Sequence, residues 1–258
     1  MVAILVFFVL HWYLSLFCQT FFLHRYAAHK MFTMSKFWER AFFTLTYVTQ
    51  GSSYLSPRGY AILHRMHHAY SDTEKDPHSP HHSSNLFEMM WKTKEIYNGF
   101  TYKTAEVPMQ FDRNYPVWEW MERLGSSWIS RVFWGTLYVL FYVAFVPSGM
   151  WFLYLLLPIH FLMGPVHGAI VNWAGHMYGY QNFDNNDKSR NSLVLDFLMM
   201  GELFQNNHHK LPLRPNFAVK WWEFDPVFPF IRLFHWMRVI NLQPAAVTAM
   251  KQRYRKAG

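Results

Sequence analysis

Residues 1–23 read MVAILVFFVLHWYLSLFCQTFFL and carry no charged side chain. That length is about what a helix needs to cross the hydrocarbon core of a bilayer. A secretory leader would show a basic start and a small-residue cleavage site, and neither is present here. The segment is therefore expected to be a retained membrane helix. Outward from it, residues 126–146 and 150–171 are two more apolar stretches, separated by Pro147-Ser148-Gly149. A tight Pro/Gly break between two apolar runs predicts a helical hairpin. Residues 37–57 are less apolar, with Glu39, Arg40, Thr44, Thr46, Thr49, Gln50, Ser52 and Ser53. That polar load suits an interfacial or protein-buried helix better than a span.

The charges set the expected topology. All 24 Lys and Arg fall within 25–65, 75–131, 188–238 and 251–256, and none lies in 1–24 or 132–187. Three crossings, with 37–57 staying on one side, put every basic residue on a single face. The positive-inside rule makes that face cytoplasmic. The expectation is one domain over 1–258: an all-α, integral-membrane bundle of about three spans and an interfacial helix. Residues 58–125 and 177–258 would form its cytoplasmic cap.

Composition narrows the function. The chain has 15 His against 16 Asp plus Glu, which packing alone does not call for. Many neutral imidazoles together point to metal binding. Cys18 is the one cysteine, so an intrachain disulfide and a Cys-rich zinc module are excluded. The net charge of +8 favours anionic lipid, an acidic redox protein or a phosphorylated substrate. Nucleic acid is not expected as a partner, because no basic recognition helix or RNP-like motif is present.

Histidines cluster at His24-x4-His29, His64-x2-His67-His68 and Gln205-Asn-Asn-His208-His209. Asn172 and His176 are four apart and share a helix face. Positions 64, 67 and 68 also share one face, so their imidazoles can converge on adjacent metals. Residues 24 and 29 are about 140° apart on an α-helix, so the first helix is expected to end or bend between them. The predicted topology puts all the clusters at one membrane face. Imidazole ligands favour iron, zinc or copper over magnesium or calcium. There is no Glu-x-x-His pair of the soluble di-iron bundles, no His-Glu-x-x-His and no Gly-x-Ser-x-Gly.

These boxes, in this order, resemble the membrane fatty acid desaturases of the acyl-CoA, stearoyl delta-9-like type. The resemblance extends to Asp72-Thr-Glu-Lys-Asp76-Pro77-His78 and Asn172-x3-His176, and spans residues 24–215. It implies a helical membrane fold with a cytosolic cap, two irons, O2 as co-substrate and an external electron donor such as a ferredoxin or cytochrome. The substrate would be a fatty acyl chain on CoA, carrier protein or lipid. The implied ligands are His24, His29, His64, His67, His68, His176, His208 and His209, with Asn172 acting through a water. Asp72, Asp76 and Glu202 are candidates to orient the imidazoles. The family usually has His where this chain has Gln205, which can ligate through its carbonyl or hold a metal-bound water; His167 is a second candidate donor. Family members also commonly have two spans before the first box, where this chain has one.

Other histidines have blander readings. His11 and His160, inside apolar spans, are expected to be hydrogen-bonded structural groups. His78, His81 and His82 lie in a Pro-punctuated polar loop and are expected to be solvated or to make cap contacts. His235 is expected at the interface, and Lys251, Arg253, Arg255 and Lys256 in a solvated, lipid-facing tail. Rival functions are a hydroxylase on the same site, a membrane zinc hydrolase, and a metal transporter or sensor. A transporter would carry its ligands deep in the spans as a pathway.

Overall fold

The computed structural model describes residues 1–251, leaving aside the side chains of 193–195. Arg253, Arg255 and Lys256 of the expected basic tail lie outside the described residues. The fold is mostly helical with almost no strand, as expected. Helix α1 (Val2–Cys18) continues without a break into a π-helix over Gln19–Ala28, giving one apolar rod of 27 residues. A short strand β1 (Phe32–Met34) leads to α2 (Lys36–Gln50), α3 (Pro57–Tyr70), α4 (Leu86–Thr101), α5 (Glu119–Ser126) and α6 (Trp128–Phe145). Then come α7 (Leu157–Phe161), α8 (Met163–Met177), α9 (Leu193–Met199), α10 (Gln205–Lys210) and α11 (Phe228–Trp236). Strand β2 (Ile240–Leu242) and α12 (Pro244–Lys251) complete the described chain. β1 and β2 pair antiparallel with Thr33 opposite Asn241, a small ribbon that ties the start of the chain to its far end.

Local chemistry explains the helix starts. Ser35, Ser56, Asn85 and Ser127 cap α2, α3, α4 and α6 by accepting from backbone N–H groups of the first turn. Pro57 follows the Ser56 cap, where the missing N–H costs nothing. Helix α2 buries Phe42, Phe43, Thr46 and Gln50 and exposes Phe37, Leu45 and Val48. It falls short of the length and apolarity of a span, in line with its expected place beside the membrane.

Two helices, Val2–Ala28 and Trp128–Phe145, are long and apolar enough to cross a bilayer. The expected third span, 150–171, is not one straight helix. Trp151–Phe161 and Met163–Met177 together have the required length but meet at 75°. Leu162 leaves helical geometry there (φ −120°, ψ 24°). The Gly164 N–H donates to Ser53 Oγ at 3.0 Å, and Pro165 has no N–H to give to the preceding turn. The helical ladder therefore fails at this point, and α8 is redirected.

The first helix ends between His24 and His29, as expected, its last residue being Ala28 and its C-cap His29, but it reaches that end as a π-helix. The His29 N–H bonds to the His24 carbonyl at 3.1 Å, an i→i+5 step. A π-helix brings residues five apart back to nearly one face, so the awkward His-x4-His spacing becomes a matched pair across the helix end. Phe21, Phe22, Phe43, Phe204 and Phe217 pack the core around this segment.

Candidate metal centre

The π-helix, α3, α8 and α10 deliver the histidines to one place. Helix α3 divides its three: His64 and His68 face one group and His67 faces the other. The first group is His24, His29, His64, His68 and His208; the second is His67, His176 and His209. All eight imidazoles of the sequence analysis are thus brought together.

The hydrogen bonds determine which ring nitrogens carry protons. A carboxylate accepts only, so a ring nitrogen beside one must donate. His24 Nδ1 donates to Glu202 Oε2 at 2.6 Å, and His67 Nδ1 to Asp76 Oδ1 at 2.9 Å. His176 Nδ1 donates to Asp72 Oδ2 at 3.0 Å, and His209 Nδ1 to Asp187 Oδ2 at 2.8 Å. The Nε2 atoms of these four rings are therefore bare lone pairs in the neutral imidazoles.

In the second group, His67 Nε2 faces His209 Nε2 at 3.2 Å, lone pair against lone pair. His176 Nε2 is buried with no hydrogen-bond partner among the described residues. In the first group the Nε2 atoms form a run: His24 to His208 at 2.9 Å, His208 to His68 at 2.9 Å, His68 to His64 at 3.1 Å and His64 to His29 at 2.8 Å. Each neutral ring nitrogen has one hydrogen or one lone pair, so no nitrogen can serve two neighbours. At most two of these four contacts can be hydrogen bonds. A cation at each centre resolves the conflict, because every lone pair then has the same acceptor. The residues fit two metals with all-nitrogen sets of the kind that iron, zinc and copper take.

The electrostatics agree. Burial, followed by neighbouring positive groups, holds His29, His64, His67, His68 and His208 well below the usual 6.5. These rings are neutral and able to ligate. Burial opposes ionisation of Asp72, Asp187 and Glu202, but hydrogen bonds and nearby charges outweigh it and keep all three below the ordinary carboxylate range. Asp187 falls to about 2.

Asp72, Asp76 and Glu202, the three candidates for orienting imidazoles, each accept a hydrogen bond from one. Asp187 does so too and was not a candidate: it lies in a loop 22 residues before its partner His209, with no box to mark it. Asp187→Ala is expected to weaken binding of the metal held by His67, His176 and His209 about 10–100-fold. Chelator competition on the purified variant checks this.

Gln205 is buried beside α8, where a Cβ on Gly175 would come within 2.5 Å of its Cγ. Its side-chain amide donates to the Glu202 carbonyl. His167 joins neither group and packs edge-on against Trp12. His11 Nδ1 and His160 Nδ1 are 2.6 Å apart, and the Tyr142 hydroxyl reaches His160 Nε2 at 2.9 Å, so both are hydrogen-bonded within the membrane segment. His81 and His82 contact the cap through the carbonyls of His176 and Asp72. His78 takes the second of its two expected readings, a contact within the cap, since it is 4% exposed. Its main chain is folded under by the Asp76 carboxylate.

A cavity of about 970 Å³ runs from exposed Phe87, Trp91 and Trp128 to buried His64, His67 and Gln205. Asn172 lines it as well, and its apolar walls include Leu16, Leu63, Leu162 and Val171.

The family model for fatty acid desaturase matches residues 1–234. The chain is 30% identical to Delta-9 desaturase-like 5 protein of Arabidopsis thaliana, over 83% of this chain and 68% of that one. It is 29% identical to sn-1 stearoyl-lipid 9-desaturase of Synechocystis sp., covering 88% and 68%. It is 27% identical to hex-5-enoyl-[acyl-carrier protein] acetylenase of Moorena producens, covering 83% and 68%. With helices able to cross a membrane and a buried imidazole centre beside an apolar cavity, the chain belongs to the fatty acid desaturase family and is an enzyme that desaturates fatty acids.

Proposed function

We propose that the chain is an O2-dependent, delta-9-like desaturase of a fatty acyl chain, with two irons and an external electron donor. The observation that carries the reading is the convergence of eight imidazoles, in two groups, at the buried end of an apolar cavity. His24, His29, His64, His68 and His208 would hold one iron. His67, His176 and His209 would hold the other, with Asn172 acting through a water and Gln205 beside it. The bound irons supply the reduction of O2 and the cleavage of unactivated C–H bonds.

The chain's own residues do the rest. Glu202, Asp76, Asp72 and Asp187 fix ring orientation and tautomer, keeping the lone pairs inward. Leu16, Leu63, Leu162 and Val171 hold the acyl chain and exclude water from the reacting methylene. The head of the substrate, on CoA, carrier protein or lipid, stays outside the apolar walls. Residues 58–125 and 177–251 would form one cap on the cytoplasmic face, a reading supported by the charge distribution, since every described Lys and Arg would then lie on that side. The net charge of +8 suits an acidic ferredoxin-like or cytochrome-like donor.

The test is metal content and Mössbauer spectroscopy on detergent-purified protein grown with iron-57, beside the lipid profile of expressing cells. About two irons per chain and new monounsaturated acyl groups are expected. His64→Ala, which removes an imidazole from the first group, should yield no new unsaturation. One zinc, no iron and an unchanged lipid profile would overturn the reading in favour of a hydrolase.

A further inference from the structure

The imidazoles divide unequally, five around one centre and three around the other. The shortfall lies on the side of His67, His176 and His209. Gln205 offers that centre no nitrogen lone pair, and its amide N–H is committed to the Glu202 carbonyl. We propose that His78 supplies the fourth imidazole to the second metal. This assignment rests on the two-metal reading above and concerns which of the chain's own residues complete it.

Three observations carry the assignment. His78 is buried, yet neither of its ring nitrogens has a hydrogen-bond partner among the described residues. A buried imidazole with both nitrogens idle is a costly arrangement that calls for a ligand. Its ring centre lies 4.2 Å from that of His67, nearer than the rings of His209 at 4.9 Å or His176 at 5.0 Å. Finally, a ring nitrogen of His78 lies within 4.8 Å of donor atoms of His67 and Asp76, in a group separate from that of His176 and His209 but joined to it through His67, and the residue lines the cavity with Asn172 and Gln205.

Asp76 is not the missing donor. Its oxygens already accept from His67 Nδ1 and from the backbone N–H groups of Asp72 and His78. The same carboxylate therefore orients the His67 ring and anchors the main chain that carries His78. Two ligands of one metal would be set by a single buried group. His167 also has idle nitrogens, but it lies in the membrane segment against Trp12 and away from both groups.

The experiment compares wild type, His78→Ala, and His78→Ala combined with Gln205→His. Each is purified from iron-57 medium, counted for metal and examined by Mössbauer spectroscopy. Wild type should hold about two irons, and His78→Ala about one, with the signal of one iron site depleted. Gln205→His should restore the second iron in the His78→Ala background, because the bare Cα of Gly175 leaves room beside residue 205. Two irons with unchanged signals in His78→Ala would overturn the assignment alone. Loss of iron that Gln205→His does not restore would also overturn it, leaving His78 a packing residue. One metal or none in wild type would overturn the two-metal reading and the assignment with it.

Discussion

Replacing Asp225 with Ala is expected to destabilise the protein by about 3–5 kcal/mol, the cost of stranding a buried charge. The stranded partner would be Arg25, fully buried in the π-helix between His24 and Tyr26. Its Nη2 donates to Asp225 Oδ2 at 2.7 Å, and its guanidinium lies 3.9 Å from the centre of the Phe217 ring. Burial, together with the nearby Glu202 carboxylate, holds the Asp225 carboxyl above its ordinary value against the pull of Arg25 and the N–H groups of Phe217 and Val227. Its hydrogen-bond partners are all donors, the Arg25 guanidinium and two backbone N–H groups, as an ionised carboxylate requires. Arg25 also stands 3.9 Å from Glu202 Oε1, the carboxylate that orients His24. Without Asp225 the guanidinium would turn toward Glu202 and compete with that imidazole, so iron content should fall along with stability. Arg25→Met should be comparably damaging. Arg25→Met combined with Asp225→Leu should recover most of the stability, since an apolar pair leaves no charge unpaired. Thermal unfolding in detergent measures all three, and a melting temperature of Asp225→Ala equal to wild type would sink the argument.

The legible parts of the molecule were those written in local patterns. An uncharged first segment and a Pro/Gly break between two apolar runs are enough to outline the bundle. The box spacings likewise mark the imidazoles, because ligands on one helix must recur at helical intervals. What escaped depended on contacts across the chain or on unusual backbone. The His24–His29 spacing marks the helix end at Ala28, but that the last turns are a π-helix with i→i+5 bonds is not announced by residue composition. The bend at Leu162 required Ser53, more than a hundred residues away, to take the Gly164 N–H. Arg25 and Asp225 are 200 residues apart, and Asp187 sits in a loop without a motif. His78, flanked by Pro77 and Pro80, could be read either as solvated or as a cap contact. The Asp76 carboxylate folds that loop inward, and nothing in the local composition encodes this.

Metal-free protein is expected to lose stability steeply as the pH falls from 7 toward 5. His29, His64, His67, His68 and His208 are held well below 6.5 by burial and by neighbouring positive groups. In the folded state these rings stay neutral, while in the unfolded chain they take up protons once the pH drops below about 6.5. The unfolded state then binds more protons, so stability rises with pH and is lost on acidification. Each ring contributes about 1.4 kcal/mol per pH unit while it is charged unfolded and neutral folded. The carboxylates of Asp72, Asp187 and Glu202 act in the same direction but lower down, because their folded pKa values lie below the ordinary range. Their contribution is present above the unfolded carboxylate pKa of about 4 and is lost as the pH falls through the folded values. The window between 7 and 5 therefore belongs to the imidazoles. Metal changes the outcome in a specific way. Once the lone pairs are bound to iron, protons must displace the metal before they can charge the rings, so the loaded protein should hold its stability to lower pH than the stripped one. Unfolding curves of chelator-treated and iron-loaded protein across this range test both halves. Identical curves for the two forms would mean that the imidazoles do not hold the metal, and a flat metal-free curve would mean that they are not buried neutral. The same neutrality that makes the empty site sensitive to acid keeps its lone pairs available to metal at neutral pH.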